Sequence, residues 1–281
     1  MDTNINTNTT TTTNTNTNTN TNTNTNTNSN INSDKIIVSV EGNIGVGKST
    51  FINVLKSKWD SDGGCEVVPE PVDLWKNIIN TNGKNILQTF YEDIPRWAYS
   101  FQNVACITRM MKMEECIRNS SSKYIFLDRS LGTDKNVFEA MLHDQGQINE
   151  LEHSMYNLWC DFYHHYIRSQ SNQIYIYLKA SPETCANRIK KRGRIEEESI
   201  GLDYLTGLHN YHDTWLLKEP NVVIIDCEEE FETDKEKHIS MINQIKSKLD
   251  LIANKNKNKI EIEFESNEKI SSRKNIILEE N

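Results

Sequence analysis

The stretch Ile36-Ile37-Val38-Ser39-Val40-Glu41-Gly42-Asn43-Ile44-Gly45-Val46-Gly47-Lys48-Ser49-Thr50 decides how the rest of the chain is read. Ile36–Val40 is a short, β-branched, mostly apolar run, the pattern of a parallel strand covered on both faces. Gly42 to Ser49 fits G-x-x-x-x-G-K-[ST], and a helical pattern follows from Lys48 to Trp59. Strand, glycine-rich turn and helix in that order are the context this motif requires. Its glycines let backbone N–H groups turn inward around phosphate oxygens, and the helix N-terminus adds partial positive charge. Gly42, Asn43, Ile44, Gly45, Val46, Gly47, Lys48, Ser49 and Thr50 are therefore expected to cradle a nucleoside triphosphate, with Lys48 at the β- and γ-phosphates and Ser49 on Mg²⁺. A glycine-rich turn without a ligand is the competing reading, and the full motif in this context disfavours it. The loop does not identify the acceptor.

Four more short apolar runs follow, at Glu66–Pro69, Tyr124–Leu127, Gln173–Leu178 and Asn221–Ile225. Longer helical patterns alternate with them, at about Pro95–Arg118, Gln147–Gln170 and Pro182–Arg192. Pro95 sits in a first turn, and Ser181-Pro182-Glu183 reads as a cap and first turn. The expectation is an α/β fold of the P-loop NTPase type, three layers deep, with a five-stranded parallel sheet flanked by helices.

Composition bounds the remainder. Between Thr3 and Asn28 every residue except Ile5 is Thr or Asn, so residues 1–34 have almost no apolar surface to offset ordering and are expected to be disordered. Residues 35–251 suffice for one domain, and 252–281 read as a charged tail in which Ile260–Phe264 alternates like an edge strand. A net charge of −9 argues against broad nucleic-acid or anionic-membrane binding. The six cysteines form no CxxC pair and no zinc spacing, and no apolar run is long enough to span a bilayer. Reduced thiols and a cytoplasmic location are expected.

The second and third strands supply candidates for the acceptor side. Pro69-Glu70-Pro71 ends one strand, where a carboxylate faces the ligand crevice and can take the proton of an attacking hydroxyl. Leu127-Asp128-Arg129-Ser130 ends the other. Asp128 can hold Mg²⁺, directly or through water, and Arg129 can neutralise a transferring phosphoryl group or orient Glu70. A structural Asp–Arg pair competes with that reading. Gln102, Ala105 and Arg109 share one helix face, and a primary amide matches the donor–acceptor edge of a base.

On these residues the chain resembles the deoxynucleoside kinases of the deoxycytidine/deoxyguanosine kinase group. The resemblance spans about Lys35 to Leu217. It rests on Glu41–Thr50, Glu70-Pro71-Val72-Asp73-Leu74-Trp75, Asn85-Ile86-Leu87-Gln88-Thr89-Phe90-Tyr91, Arg96-Trp97-Ala98-Tyr99-Ser100-Phe101-Gln102, Asp128-Arg129-Ser130 and Lys191-Arg192-Gly193-Arg194. It implies transfer of the ATP γ-phosphate, with Mg²⁺, to the 5′-hydroxyl of a deoxynucleoside. Glu70 would be the base with Arg129 beside it, Tyr91 and Glu197 would bind the sugar 3′-hydroxyl, Trp75 and Phe101 would pack on the base, and Gln102 would read its edge. An Arg109–Asp134 pair would favour adenine, cytosine or guanine over thymine, whose methyl needs that space, and Ala105 follows the deoxycytidine kinase pattern. The family also implies a homodimer built on long helices, with Gln147–Gln170 a candidate. Asp128 departs from the family's animal enzymes, which usually carry Glu there.

Arg188 and Arg192 fall one turn apart, with Arg194 just past Gly193. Spacing alone divides evenly between a solvated basic face and an arginine-rich lid over phosphates; the resemblance favours the lid. Two other functions remain. A nucleoside monophosphate kinase would need cations near Glu70, and its sequence neighbours Val67-Val68-Pro69 and Pro71-Val72 provide none. A non-catalytic nucleotide-binding scaffold would have no use for a base.

Overall fold

A computed structural model describes residues 35–59, 64–168, 172–194, 197–198 and 200–252. The expectations for residues 1–34, for 253–281 and for an edge strand at Ile260–Phe264 lie outside them. The described chain runs β1 (Ile36–Glu41), α1 (Lys48–Lys58), β2 (Cys65–Val68), α2 (Val72–Asn77), α3 (Ile86–Glu92), α4 (Ile94–Asn119), β3 (Tyr124–Asp128) and α5 (Leu131–Thr133). A π-helical turn (Asp134–Glu139) follows, then α6 (Ala140–Asp144), α7 (Glu150–Arg168), β4 (Asn172–Lys179), α8 (Pro182–Arg192), α9 (Leu202–Leu216) and β5 (Val222–Asp226). A last helix, α10, spans 235–252.

The five strands form one all-parallel sheet in the order β2-β3-β1-β4-β5. Both faces are covered. Beneath Val38, Val40, Phe126 and Ile176 lie Phe51 and Leu55 of α1, Ile189 of α8 and Ile245 of α10. On the opposite face Ile37, Ile125 and Leu127 meet Cys106 and Met110 of α4 with Tyr156 and Cys160 of α7. Burial on both faces is why these strands read as apolar runs rather than alternations.

Local chemistry sets the helix ends that matter for the site. Asn85 caps α3 through a reciprocal capping box with Gln88. The Asp93 side chain accepts from the Arg96 N–H, with Pro95 in the first turn of α4. Ser181 accepts from the Thr184 N–H at the start of α8, and Gly193 ends that helix at φ 64°. Predicted and observed helix limits agree closely for α1 and α8. The short helices α2 and α3 and the π-turn had no periodic signal, because six- or seven-residue segments carry too little periodicity, although the Asn85/Gln88 spacing marked the start of α3.

Candidate active site

The cradle follows β1, the central strand, and the parallel sheet brings the ends of β2 and β3 up beside it. This is the ligand crevice of a parallel sheet. Gly47 caps α1 with φ 106°, a conformation disfavoured for side chains. At Gly45 a Cβ would meet the Cys185 carbonyl at 2.5 Å, so glycine is also required for close packing on α8. Lys48 is buried, and its Nζ donates to the Gly42 and Asn43 carbonyls at 3.1 and 3.0 Å. Burial, with Arg129 nearby, lowers its pKa to about 7.

Glu70 lies just past β2. Its Oε1 accepts from Arg129 Nη1 at 2.9 Å and Arg109 Nη2 at 3.2 Å. Burial alone would raise its pKa, but Arg129, Arg109 and Lys48 outweigh that and hold it at about 2. No cation adjoins Glu70 in the sequence: the turn after β3 brings Arg129 to it, as expected, and α4 adds Arg109, which was expected only to pair with Asp134. Arg129 is also the one non-glycine with positive φ (67°) among the described residues, a strained conformation of the kind that gathers at functional sites.

Arg109 and Asp134 form the buried pair the sequence allowed. Arg109 Nε donates to Asp134 Oδ2 at 2.8 Å and Nη2 to Oδ1 at 3.3 Å, and Nη1 donates to the Asp128 carbonyl at 2.7 Å. Both residues are buried, so this is not a solvent-screened surface pair. Burial would lower the Arg109 pKa, but Asp134 and Glu70 raise it above its ordinary value.

Cradle, Glu70, Arg129 and the Arg109–Asp134 pair open onto one cavity of about 450 Å³. Trp75 of α2, Tyr91 of α3 and Phe101, Gln102 and Ala105 of α4 line it, and Glu197 reaches it as well. Trp75 meets Phe101 edge-on at 5.4 Å, and Phe101 stacks with Phe90 at 4.7 Å, giving an aromatic slot. Gln102 is 2% exposed, and its Oε1 has no hydrogen-bond partner. An orphaned buried amide oxygen in a pocket is an acceptor suited to a ligand. The sequence reading overlooked three contributors. Phe138 packs under Arg129 at 5.3 Å and Tyr204 places a buried, unpartnered hydroxyl at the cavity. Glu41 is fully buried and accepts from the Ser130 N–H at 2.9 Å and from the Thr133 hydroxyl, fixing the turn that carries Arg129. A lone acid ending an apolar strand was the available signal for Glu41; the other two depend on tertiary packing.

The three lid arginines separate. Arg188 is not a free lid cation: Nε donates to Glu230 at 2.8 Å, Nη1 to the Cys227 and Val46 carbonyls at 2.8 and 3.3 Å, and Nη2 to the Glu228 and Glu229 carbonyls at 3.3 and 3.1 Å. It ties α8 to the cradle and to the loop after β5. Arg192 and Arg194 instead meet Glu197, at 2.5 and 3.4 Å. Glu197 thus contacts arginines rather than forming a direct bond with Tyr91, although both line the cavity.

Asp128 Oδ1 is buried without a hydrogen-bond partner, and burial with the Glu70 charge raises its pKa. A buried carboxylate oxygen and the Ser49 hydroxyl at the cavity wall are hard oxygen donors, the set that suits Mg²⁺.

A parallel sheet, a phosphate cradle and an arginine-held carboxylate in one cavity define a P-loop kinase. A family model described as deoxynucleoside kinase matches residues 38–250. The chain is 36% identical over 241 residues to deoxycytidine kinase of Mus musculus, covering 74% of this chain and 89% of the relative. Deoxycytidine kinase 2 of Gallus gallus is 35% identical over 238 residues (75% and 89%), and the mitochondrial deoxyguanosine kinase of Xenopus laevis 30% over 236 (75% and 88%). The chain belongs to the deoxynucleoside kinase family.

Proposed function

We propose that this chain transfers the γ-phosphate of ATP to the 5′-hydroxyl of a deoxynucleoside bearing an amino-substituted base, deoxyadenosine, deoxycytidine or deoxyguanosine. The observation that carries this reading is the shared cavity: an ionised Glu70 held by Arg129, beside the cradle and continuous with an aromatic slot ending at Gln102 and the Arg109–Asp134 pair. Lys48 and the cradle bind the triphosphate. Asp128 and Ser49 would hold Mg²⁺, which would offset the charge of the phosphate oxygens. Glu70 accepts the 5′-hydroxyl proton and Arg129 stabilises charge on the phosphoryl group in flight. Trp75 and Phe101 pack on or beside the base, Gln102 bonds its edge, and Tyr91 with Glu197 receives the sugar. Arg192 and Arg194 close over the phosphates once they exchange Glu197 for them, while Arg188 serves as the hinge anchor of that helix.

A monophosphate acceptor is disfavoured because four of the five Arg109 N–H donors are taken up by Asp134, Glu70 and the Asp128 carbonyl. The Arg109–Asp134 pair likewise fills the space a thymine methyl would need.

A homodimer is part of this reading. Leu151, Met155, Leu158, Trp159 and Phe162 form an exposed apolar stripe along α7, and Ile107 and Met111 of the adjoining α4 are exposed too. Such a stripe on packed neighbouring helices suits a second copy of the chain. Among the described residues no helix is long and apolar enough to cross a membrane; a cytoplasmic location is part of the same proposal.

The test is phosphorylation of the four deoxynucleosides by ATP with Mg²⁺, measured side by side. Turnover of one or more amino-bearing deoxynucleosides well above thymidine is expected; thymidine as the best substrate would refute the base assignment. Phosphorylation of deoxynucleoside monophosphates alone would refute the acceptor assignment.

A further inference from the structure

The π-helical turn Asp134–Glu139 presents three functional directions at once. Asp134 reaches α4 through Arg109, and Phe138 lies under Arg129 in the cavity. Val137 packs with Met141 and with Leu208 of α9. The fourth direction, toward α7, has no part in the proposed chemistry. There Glu139 is completely buried, and its Oε1 lies 2.8 Å from Nδ1 of His153.

The surroundings of His153 fix its ring. Nε2 lies 2.9 Å from the Asn157 side-chain nitrogen, an amide donor, so Nε2 accepts and Nδ1–H donates to Glu139. His143 of α6 stacks on the same ring, centroids 3.9 Å apart and planes 14° from parallel. The other charged groups around the cluster are Asp144 and Glu150, 3.7 and 3.4 Å from the His143 nitrogens, and Lys135, engaged by Asp161 of α7 at 2.5 Å. Glu139 Oε2 is buried without a partner, so His153 is the contact that satisfies this carboxylate. Because stacked rings direct their nitrogens to separate partners, the cluster is built to hold side chains in place.

A π-turn is a marginal conformation, and one extra residue per turn must be held by its surroundings. Here the Ala140 N–H reaches the Lys135 carbonyl across that wide turn. If the turn relaxed toward an ordinary helix, Asp134 and Phe138 would rotate relative to each other and to the cavity. We propose that His153 is a positioning residue for the deoxynucleoside subsite: by holding Glu139 it locks the π-turn in the register that points Asp134 at Arg109 and Phe138 at Arg129. This rests on the kinase reading for its effect on substrate, but not for its effect on the turn.

The experiment therefore has two readouts on the full-length protein. The first is amide hydrogen exchange of residues 134–140 without substrates. The second is the KM for the best deoxynucleoside against the KM for ATP. His153→Ala should speed exchange at 134–140 by about tenfold while the cradle amides stay unchanged. It should raise the deoxynucleoside KM by about tenfold, with the ATP KM within about twofold, since small displacements of positioning groups have effects of that size. His153→Gln, whose amide N–H can still reach Glu139, should recover most of both. Should His153→Ala fail to fold, Glu139→Ala provides the same comparison from the other side of the bond. Unchanged exchange overturns the proposal, as does faster exchange with both KM values unaltered or raised in parallel. A wild-type protein that phosphorylates no deoxynucleoside would overturn the kinase reading instead, and the exchange data would still decide whether His153 holds the turn.

Discussion

Glu70 combines two properties that pull against each other. Its arginine partners keep it ionised at every physiological pH, yet the same partners make it a weak base. In the proposed reaction it takes the proton only as the hydroxyl oxygen forms its bond to the transferring phosphorus, which fits a reaction governed by positioning and charge. Glu70→Gln should lower kcat by about 10²–10⁴-fold, with ATP affinity little changed, as checked by steady-state rates and calorimetric ATP binding. Retention of near-normal turnover would remove Glu70 from the mechanism. A second titrating residue bears on stability. His212 is fully buried, donates from Nδ1 to the Leu208 carbonyl, and burial lowers its pKa from 6.5 to about 3. The unfolded chain therefore binds a proton below 6.5 that the folded chain refuses until about 3. Stability is full above that window and falls as pH drops through it, by up to about 1.4 kcal/mol per pH unit. Urea unfolding of wild type and His212→Phe from pH 7 to 4 should show a shallower slope in the variant; equal slopes would assign the acid sensitivity elsewhere.

At the scale of elements, α4 is the wall of the proposed acceptor site. It carries Phe101, Gln102, Ala105 and Arg109 to the cavity, and the spacing of Gln102, Ala105 and Arg109 on one face was legible in the sequence. Arg109 links three elements, contacting Asp134 of the π-turn, Glu70 after β2 and the end of β3. Removing it alone, as in Arg109→Met, leaves Asp134 buried without its cation and should cost about 3–5 kcal/mol of stability. The double substitution Arg109→Met with Asp134→Ala removes both charges, so it should recover much of that loss and increase the use of thymidine relative to deoxycytidine. Chemical denaturation and a two-substrate competition assay check the two halves. A double variant no more stable than the single one would show that the pair is not the source of the cost. The short helices and the π-turn escaped the sequence reading because their conformations are imposed by what packs against them rather than by periodicity.

At the scale of the whole molecule, the apolar stripe on α7 should bury itself in a dimer. Leu158→Glu combined with Phe162→Glu should shift the mass measured by light scattering from two chains to one, because charges cannot be buried unpaired at such an interface. A wild type that is already a single chain would refute the proposed assembly. The amino-acid sequence alone determined the α/β class, the five strands, the cradle and the Gln102–Ala105–Arg109 helix face, because those rest on local patterns: apolar runs, glycine spacing and helical periodicity; Trp75, Tyr91, Phe101, Asp134 and Glu197 came only from the resemblance to a known family, and Phe138 and Tyr204 from neither. Only the tertiary structure decided how these residues act on one another. Glu70 has no cation beside it in the chain, yet it lies between two arginines; Arg188 had the spacing of a lid residue, yet every one of its donors is engaged by the protein. The physical reason is that charge interactions and burial depend on distance in space, and the parallel sheet sets those distances by placing the ends of β1, β2 and β3 side by side.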